Sequence, residues 1–227
     1  SGFNSSVMTL ILDSSAGKIY AGGLFTSYTN GATTTQNRLT RLSTSNGAVD
    51  TAFMASGGGI SSGVYALLLD TVSGKIYVGG GFSSVTNGGT TNQLRLTRIA
   101  ISNGAVDTTF VPAGGGYDLS VYSLALDSTT GKLYVGGNFT SYTNSGATTQ
   151  NRLSRLNADG TADTTFVASG DAFTAGQTYA MVFDSDSGRL YAGGSFIRYT
   201  YSGTTTPQYR IARLNSNGSL DSNFVQK

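Results

Sequence analysis

The sequence predicts an all-β propeller of four blades, each made of about four antiparallel strands and each formed by one internal repeat. Three observations lead to this fold class. The 227-residue chain carries four copies of one unit, with basic residues at positions 18, 75, 132 and 189, spaced by 57. Apolar residues follow the two-residue period of strands, and no helical period persists. The first strand of a unit is apolar on both faces, so both faces need a neighbour, as in propeller blades.

Three motifs return in every unit. The first is Gly-Lys-Ile-Tyr-Ala-Gly-Gly at 17–23, with copies at 74–80, 131–137 and 188–194. The second is Arg-Leu-Thr-Arg-Leu at 38–42, with copies at 95–99, 152–156 and 210–214. The third is Asp-Thr-Ala-Phe at 50–53, with copies at 107–110, 163–166 and 221–224. The units 1–57, 58–114, 115–171 and 172–227 therefore fill the chain, which predicts a single propeller domain.

The second unit shows the order of elements within a repeat. Residues 64–69 predict a first strand, and a turn with Gly74 leads into a second strand at 75–78. A long Thr-, Gly- and Asn-rich loop precedes a third strand at 94–101, and Asn103-Gly104 predicts a turn into a short fourth segment. The glycine pair that ends the second strand indicates close approach of neighbouring backbones. In one alternative, the last segment at 221–224 completes the blade begun by residues 7–25.

The three motifs together resemble the delta-60 family of bacterial propeller repeats, and the resemblance covers all four units. It implies a β-propeller, usually within large secreted or surface-attached bacterial proteins, with no agreed activity and no catalytic residues. The fourth unit departs most from the pattern, with Arg189 in place of Lys and one extra residue before Arg210.

Composition excludes several kinds of chemistry. The chain has no His, Cys or Trp, and all 12 acidic residues are Asp. Ser-His-Asp and Cys-His catalysis, thiolate chemistry and His-containing metal sites are therefore excluded, and no cofactor is expected. The net charge of +2 does not favour nucleic acid or an anionic membrane as partner, and no apolar run is long enough to span a membrane.

Charges that repeat in every unit indicate a structural role. Asp13 and its counterparts end the first strand, where an Asx side chain can cap a turn. We expect Arg41 and its counterparts, or the arginines three residues earlier, to be buried against the carboxylates of the Asp50 series.

Charges and loops that differ between units indicate a binding role. If the strands alternate in direction, the loops between the second and third strands lie on one face with the connectors between units. The tight turns lie on the other face. The ligand-binding candidates on this loop face are Tyr28, Asp118, Tyr142, Asp171, Arg198, Tyr199, Tyr201, Gln208 and Tyr209. The fourth unit is the favoured site because its loop holds most of them.

These residues predict a non-catalytic binding or adhesion module, secreted or at the cell surface and directed at extracellular glycan. Tyrosine rings can stack on sugars, and amides can bond their hydroxyls. In an alternative interpretation, the loops are solvated tips whose tyrosines pack on neighbouring loops, and the module is a spacer or tip domain within a longer multidomain chain. A polysaccharide-active enzyme is the least favoured class, since it would depend on Asp118 and Asp171 as the two carboxylates of a glycosidase.

Overall fold

The computed structural model describes residues 1–54 and 57–224, and the end of the fourth repeat, residues 225–227, lies outside the described part together with residues 55 and 56. The described residues form strands and turns and contain no helix. The chain divides into two compact units, Ser1–Gly116 and Tyr117–Lys227, and each unit holds two repeats.

The first unit contains twelve strands. They are β1 (Gly2–Phe3), β2 (Val7–Asp13), β3 (Lys18–Gly23), β4 (Ser27–Asn30), β5 (Ala32–Thr35), β6 (Leu39–Ser43), β7 (Gly59–Ile60), β8 (Val64–Asp70), β9 (Lys75–Gly80), β10 (Ser84–Thr86), β11 (Thr90–Asn92) and β12 (Leu96–Ala100).

The second unit repeats the same order. Its strands are β13 (Gly116–Tyr117), β14 (Val121–Asp127), β15 (Lys132–Gly137), β16 (Ser141–Thr143), β17 (Ala147–Thr149), β18 (Leu153–Leu156), β19 (Ala172–Thr174), β20 (Thr178–Asp184), β21 (Arg189–Gly194), β22 (Arg198–Tyr201), β23 (Thr204–Pro207) and β24 (Ile211–Leu214).

Each repeat forms one antiparallel blade sheet of three strands. The blade sheets are β2-β3-β6, β8-β9-β12, β14-β15-β18 and β20-β21-β24. The predicted fourth strand is reduced to a single antiparallel bridge, as between Leu42 and Val49, because the chain turns at the Asp-x-x-Phe motif that follows. In the last repeat Leu214 bridges Leu220, and Asp221 N donates to Arg213 O over 2.9 Å. The alternative in which this segment completes the first blade is therefore wrong.

A second small sheet, the edge sheet, accompanies each blade. The edge sheets are β1-β4-β5, β7-β10-β11, β13-β16-β17 and β19-β22-β23. The predicted long loops thus form hairpins that pair with the connector before the blade. Their side chains bond to the turn after the third strand: Asn30 Nδ2 donates to Asn46 O over 3.0 Å, and Asn87 Nδ2 to Asn103 O over 2.8 Å. The prediction that these loops and turns lie on opposite faces is wrong, because the hairpins fold back along the blade.

Neighbouring blades within each unit pack through apolar faces, as the two-faced first strand predicted. In the first unit, Tyr20 and Leu39 of the first blade share a core with Val64 and Leu67 of the second. A Cβ on Gly22 would lie 2.5 Å from Val64 Cγ1, so the first glycine of the pair is required by the approach of the next blade. In the second unit, Gly136 faces Thr178 and Met181 in the same way.

We expect Gly136→Ala to destabilise the chain by about 1–3 kcal/mol, the usual range for overpacking. The added Cβ would lie 2.6 Å from Ser123 Oγ and 2.8 Å from Thr178 Cγ2. Gly193→Ala is the matched control, because within the single chain a Cβ at this equivalent position meets no atom closer than 3.8 Å. Urea unfolding of both variants, at a concentration at which the chain is monomeric, measures the difference, and equal midpoints would contradict the close approach.

Candidate functional site

One charge cluster recurs in all four repeats. In the first, Asp50 Oδ2 lies 3.0 Å from Arg41 Nη2 and 2.7 Å from Lys18 Nζ. The equivalent pairs are Arg98–Asp107 at 3.0 Å, Arg155–Asp163 at 2.8 Å and Arg213–Asp221 at 2.7 Å, with Lys75, Lys132 and Arg189 at 2.9, 2.5 and 3.3 Å from the same carboxylates. The predicted pairing of the Arg41 series with the Asp50 series is confirmed. The second cation at each carboxylate was not predicted.

The arginine of the cluster also contacts two aromatic rings and the next repeat. The Arg155 guanidinium carbon lies 4.4 Å from the Phe166 ring centroid and 5.8 Å from that of Tyr134. Arg155 Nη1 donates to Ser216 O over 3.0 Å, and Arg41 Nη1 donates to Ile101 O in the same relation. Each of these arginines therefore joins its own blade to the turn of the following blade, which is a structural role.

The environment of the cluster lowers the pKa of its carboxyl groups. Burial acts to raise the pKa of Asp163, but hydrogen bonds from the Lys132 and Thr165 side chains and the charge of Arg155 hold it well below its usual value. At Asp107, burial is likewise outweighed by Thr109, Lys75 and Arg98, and the pKa is again well below the usual value. These aspartates are therefore ionised partners and poor proton donors.

The tyrosines predicted to bind ligand mostly hold the hairpins in place. Tyr199 is 1% exposed, and its hydroxyl donates to Gly218 O over 2.5 Å. Tyr142 is as deeply buried and donates to Gly160 O over 2.7 Å, while the half-buried Tyr28 donates to Gly47 O over 3.0 Å. Tyr142 and Tyr199 are corrected to structural residues, because rings buried to this extent are not available for stacking on a sugar.

Asp118 is also corrected from a ligand contact to a structural residue. Its Oδ1 accepts hydrogen bonds from the backbone N–H groups of Thr140 and Ser141 at 2.8 and 3.0 Å, where the hairpin begins. Asn4 and Ser61 accept the equivalent pair of bonds in the first and second repeats. The position thus fixes the hairpin, whichever short polar side chain occupies it.

Asp171 and Gln208 lie inside the fold. Gln208 is buried and its Nε2 donates to Ile211 O. Asp171 is buried too, and within the described ranges its Oδ2 has no hydrogen-bond partner. Asp171 occupies the position that Gly58 and Gly115 occupy before the second and third repeats. The next residue, Ala172, has a positive φ of 88°. Neither side chain is presented to solvent, so both are corrected as ligand contacts.

Arg198, Tyr201 and Tyr209 remain accessible on the fourth hairpin. Arg198 is exposed and pairs with Pro207 at the base of the hairpin, two residues before Tyr209, which is 59% exposed. Tyr201 is half-buried, and its hydroxyl donates to Asn217 O over 3.2 Å. Of the predicted site residues, Arg198 and Tyr209 therefore remain exposed at the base of the hairpin, and Tyr201 remains partly exposed near its tip.

A cavity in the first unit was not predicted from the sequence. Its volume is about 380 Å³, and it lies between the β5 strand of the edge sheet and the outer edge of the first blade. Its lining includes Thr33, Thr34, Thr35, Gln36, Thr40, Arg41, Val49, Asp50, Thr51, Phe53, Met54 and Gly58. Thr40 is almost fully buried, and its Oγ1 has no hydrogen-bond partner among the described residues. The hydroxyl groups of the three threonines from β5 suit a small polyhydroxylated ligand.

The fourth repeat has a cavity of about 280 Å³ at the equivalent place, lined by Thr206, Gln208, Arg213, Asp221 and Phe224 among others. In the second and third repeats, Val111 and Val167 follow the motif phenylalanine and are buried. Met54 replaces this valine in the first repeat. That substitution distinguishes the first repeat in sequence, but the fourth repeat has valine at this position and an equivalent cavity, so the substitution alone does not predict one.

Comparison with known proteins identifies the family. Four segments, residues 16–53, 73–110, 129–166 and 186–224, match the family described as a domain of unknown function (DUF5122) β-propeller. The chain belongs to this family. Each match to the DUF5122 β-propeller begins in the turn before the second strand and ends at or beside the motif phenylalanine. The four repeats found in the sequence are therefore DUF5122 repeats.

Solved structures show the same fold. The WD40 β-propeller domain of Doa1 has a TM-score of 0.52 and 14% identity, over 92% of this chain and 51% of that chain. U3-55K has a TM-score of 0.55 and 14% identity, over 95% of this chain and 53% of that chain. The DUF5122 chain thus spans about half the length of these structures, and at this identity the likeness extends to the fold alone. A comparison with curated protein sequences gave no match.

The described residues contain no helix with the length and apolar character needed to cross a membrane. They also contain no group of three or more His, Cys, Asp or Glu side chains placed to hold a metal ion.

Asp163→Ala should destabilise the DUF5122 chain by about 3–5 kcal/mol, because it leaves the buried Arg155 without its carboxylate. Asp159→Ala is the control, since Asp159 is exposed and bonds only within its own turn, to Thr161. We expect the control to lose less than about 1 kcal/mol. Denaturant titration measures both, and similar losses in the two variants would refute the role of the cluster.

Stability should be flat from about pH 5 to pH 8 and fall below about pH 4, since the chain has no His and unperturbed Asp titrates near 3.9. Folding lowers the pKa of Asp107 and Asp163. The resulting stabilisation is present above the unfolded pKa and is lost as the pH falls toward the folded pKa. Thermal melts across this range test the prediction, and Asp163→Asn should show the shallower acid dependence. A steep change near neutral pH would contradict it.

Proposed function

We propose that this DUF5122 propeller contributes four blades, one for each repeat, to a non-catalytic binding module directed at glycan. We also propose that it acts in adhesion, as part of a secreted or surface-attached bacterial protein. The resemblance of its motifs to delta-60 repeats supports the extracellular setting. The low content of charged residues, 11% of the chain, and the many hydroxyl and amide side chains are compatible with a module that recognises neutral sugars.

The cavity of the first repeat is the observation that carries the proposal. Its volume of about 380 Å³ lies at the lower end of the range for small-molecule sites, which begins near 300 Å³. Thr33, Thr34 and Thr35 supply hydroxyls that can donate and accept, as sugar hydroxyls do. Val49, which is partly exposed, supplies apolar surface for the C–H face of a ring.

Thr34 and Thr91 form a matched pair for testing the cavity. Thr34 lines the cavity and is partly exposed, and its hydroxyl donates to Tyr28 O over 3.3 Å and can still accept from a ligand. Thr91 holds the equivalent position in the second repeat and is also partly exposed, but it is not in the lining of the first-repeat cavity. Thr91 is therefore a matched control.

The carboxylates support binding without catalysis. A glycosidase general acid needs a raised pKa. The pKa of Asp50, which lines the cavity, is instead lowered by a hydrogen bond from Lys18 and by the charge of Arg41. At Asp118, burial acts to raise the pKa, but hydrogen bonds from Thr140 and Ser141 lower it.

A spacer or tip domain without ligand is the second candidate function. The structural roles of Tyr142 and Tyr199 favour it, because they remove two aromatic contacts from the predicted loop site. The exposed Arg198 and Tyr209 then remain as a minor surface whose contribution is tested separately.

A glycan screen with the whole chain tests the proposed function. We expect weak binding, about millimolar to micromolar per site, reduced about three- to tenfold by Thr34→Val through the loss of one hydrogen bond. Thr91→Val should bind like wild type, and Tyr209→Ala reports on the fourth hairpin. No binding by wild type would favour the spacer role. Equal losses of affinity in the two threonine variants would indicate that the ligand binds outside the cavity.

A further inference from the structure

Two blade faces in this chain are apolar and exposed. We call the side of a blade that meets the preceding blade its leading face and the side that meets the following blade its trailing face. On the leading face of the first blade, Met8, Leu10 and Leu12 are exposed by 52%, 57% and 59%. On the trailing face of the fourth blade, Val182 and Ile211 are exposed by 65% and 46%.

Leu10, Val182 and Ile211 have counterparts that are buried where two blades meet within a unit. Met8 does not, because its counterpart in the fourth blade, Tyr179, is also 52% exposed. In the second blade, Leu67 is equivalent to Leu10 and is only 9% exposed, against the trailing face of the first blade. In the third blade, Ala125 is equivalent to Val182 and is buried in one core with Met181 of the fourth. The two exposed faces are thus the two halves of the contact that already joins blades in this chain.

The trailing face of the fourth blade also has the space that an incoming blade needs. A Cβ on Gly193 would meet no atom closer than 3.8 Å, whereas the equivalent Gly22 and Gly136 are closed off by residues of the next blade. Around Gly193 lies a shallow depression of about 130 Å³ with Ala180, Val182 and Ile211 in its lining. It corresponds to the place where Val64 and Thr178 approach Gly22 and Gly136.

The hydrogen bond that joins neighbouring blades is not formed at these same two faces. Arg41 and Arg155 donate from Nη1 to a carbonyl of the following blade, Ile101 O and Ser216 O. Arg213 is their equivalent in the fourth blade, and within the described ranges its Nη1 has only Tyr191 Oη, at 3.5 Å. The carbonyl equivalent to Ile101 O and Ser216 O in the first blade is that of Thr44, and no described residue donates to it.

We propose that the trailing face of the fourth blade docks on the leading face of the first blade in a second copy of this chain. Two such contacts close two copies into a ring. The second copy is the occupant that the two faces themselves indicate, because each face is one half of a contact that already joins neighbouring blades within a unit. The contact is heterologous: Arg213 donates to Thr44 O of the other copy, and Val7 of that copy approaches Gly193.

The mass in solution is the first test. Sedimentation equilibrium or native mass spectrometry of the whole chain should give twice its mass of 23.4 kDa. A chain that is monomeric up to about 100 µM, a concentration that reveals contacts of micromolar affinity, overturns the proposal. Open polymers of increasing length also overturn it, because they mean that the ring does not close on two copies.

Four variants then test which faces form the contact between the two copies. Leu10→Asp, Val182→Asp and Gly193→Leu should each be monomeric where wild type is a dimer, with unchanged circular dichroism because the three positions have room in the single chain. Val72→Asp is the control, since Val72 is 90% exposed in a turn away from both faces. An equal mixture of Leu10→Asp and Val182→Asp should recover association, since it retains one intact contact. If the dimer survives the three face variants, or the mixture stays monomeric, the head-to-tail contact is wrong.

Cross-linking gives an independent readout, because the chain has no cysteine of its own. Single-cysteine variants Leu10→Cys and Val182→Cys, mixed and treated with a short bismaleimide, should give a dimer band. Val182→Cys alone should give none, and neither should Val72→Cys mixed with Leu10→Cys. A strong band from Val182→Cys alone would mean that like faces meet, and would overturn the proposal.

Discussion

The aspartate that begins the last segment of each repeat accepts from two cations at once, and the blade is organised around it. In the third repeat, Asp163 Oδ2 receives Lys132 from the second strand and Arg155 from the third. The arginine in turn is covered by Phe166 and Tyr134 and reaches the next blade through Ser216 O. A buried carboxylate that loses its cationic partners destabilises the fold strongly. The segment that carries it is therefore held to the blade even though its strand pairing is reduced to one bridge.

The repeat structure of the sequence predicted the arginine–aspartate pair of this cluster, but not its second cation, and it predicted the order of the blade strands, because a side chain needed in every blade appears in every unit. The 57-residue spacing placed the strands, the turns capped by the Asp13 series and the Arg41–Asp50 pair. The course of the hairpins could not be predicted in this way. The course of each hairpin depends on hydrogen bonds from side chains such as Tyr142 to main-chain carbonyls such as Gly160 O. Every residue has a main-chain carbonyl, so the sequence does not show which one accepts the bond.

The candidate site was less predictable than the fold for a related reason. Asp118 differs between units, whereas the position of Tyr199 is tyrosine in three of the four, and neither pattern distinguishes a buried side chain from an exposed one. In the structure the positions are structural, and several side chains fill the same role: Asn4, Ser61 and Asp118 each accept from the start of a hairpin. The cavity of the first repeat could not be predicted for a different reason. The threonines and Gln36 that line it are common residue types, and none of them by itself indicates a cavity.

The bond between blades has a consequence for how such chains evolve. Arg41 and Arg155 recognise the following blade through a main-chain oxygen, which every amino acid provides. The receiving turn therefore needs a particular backbone path but no particular side chain at this contact, and Ile101 and Ser216 serve equally. A gene segment that encodes one repeat can be duplicated, lost or exchanged without a compensating substitution in the neighbour at this bond. At this bond, a change in the number of repeats therefore needs no matching change in side chain.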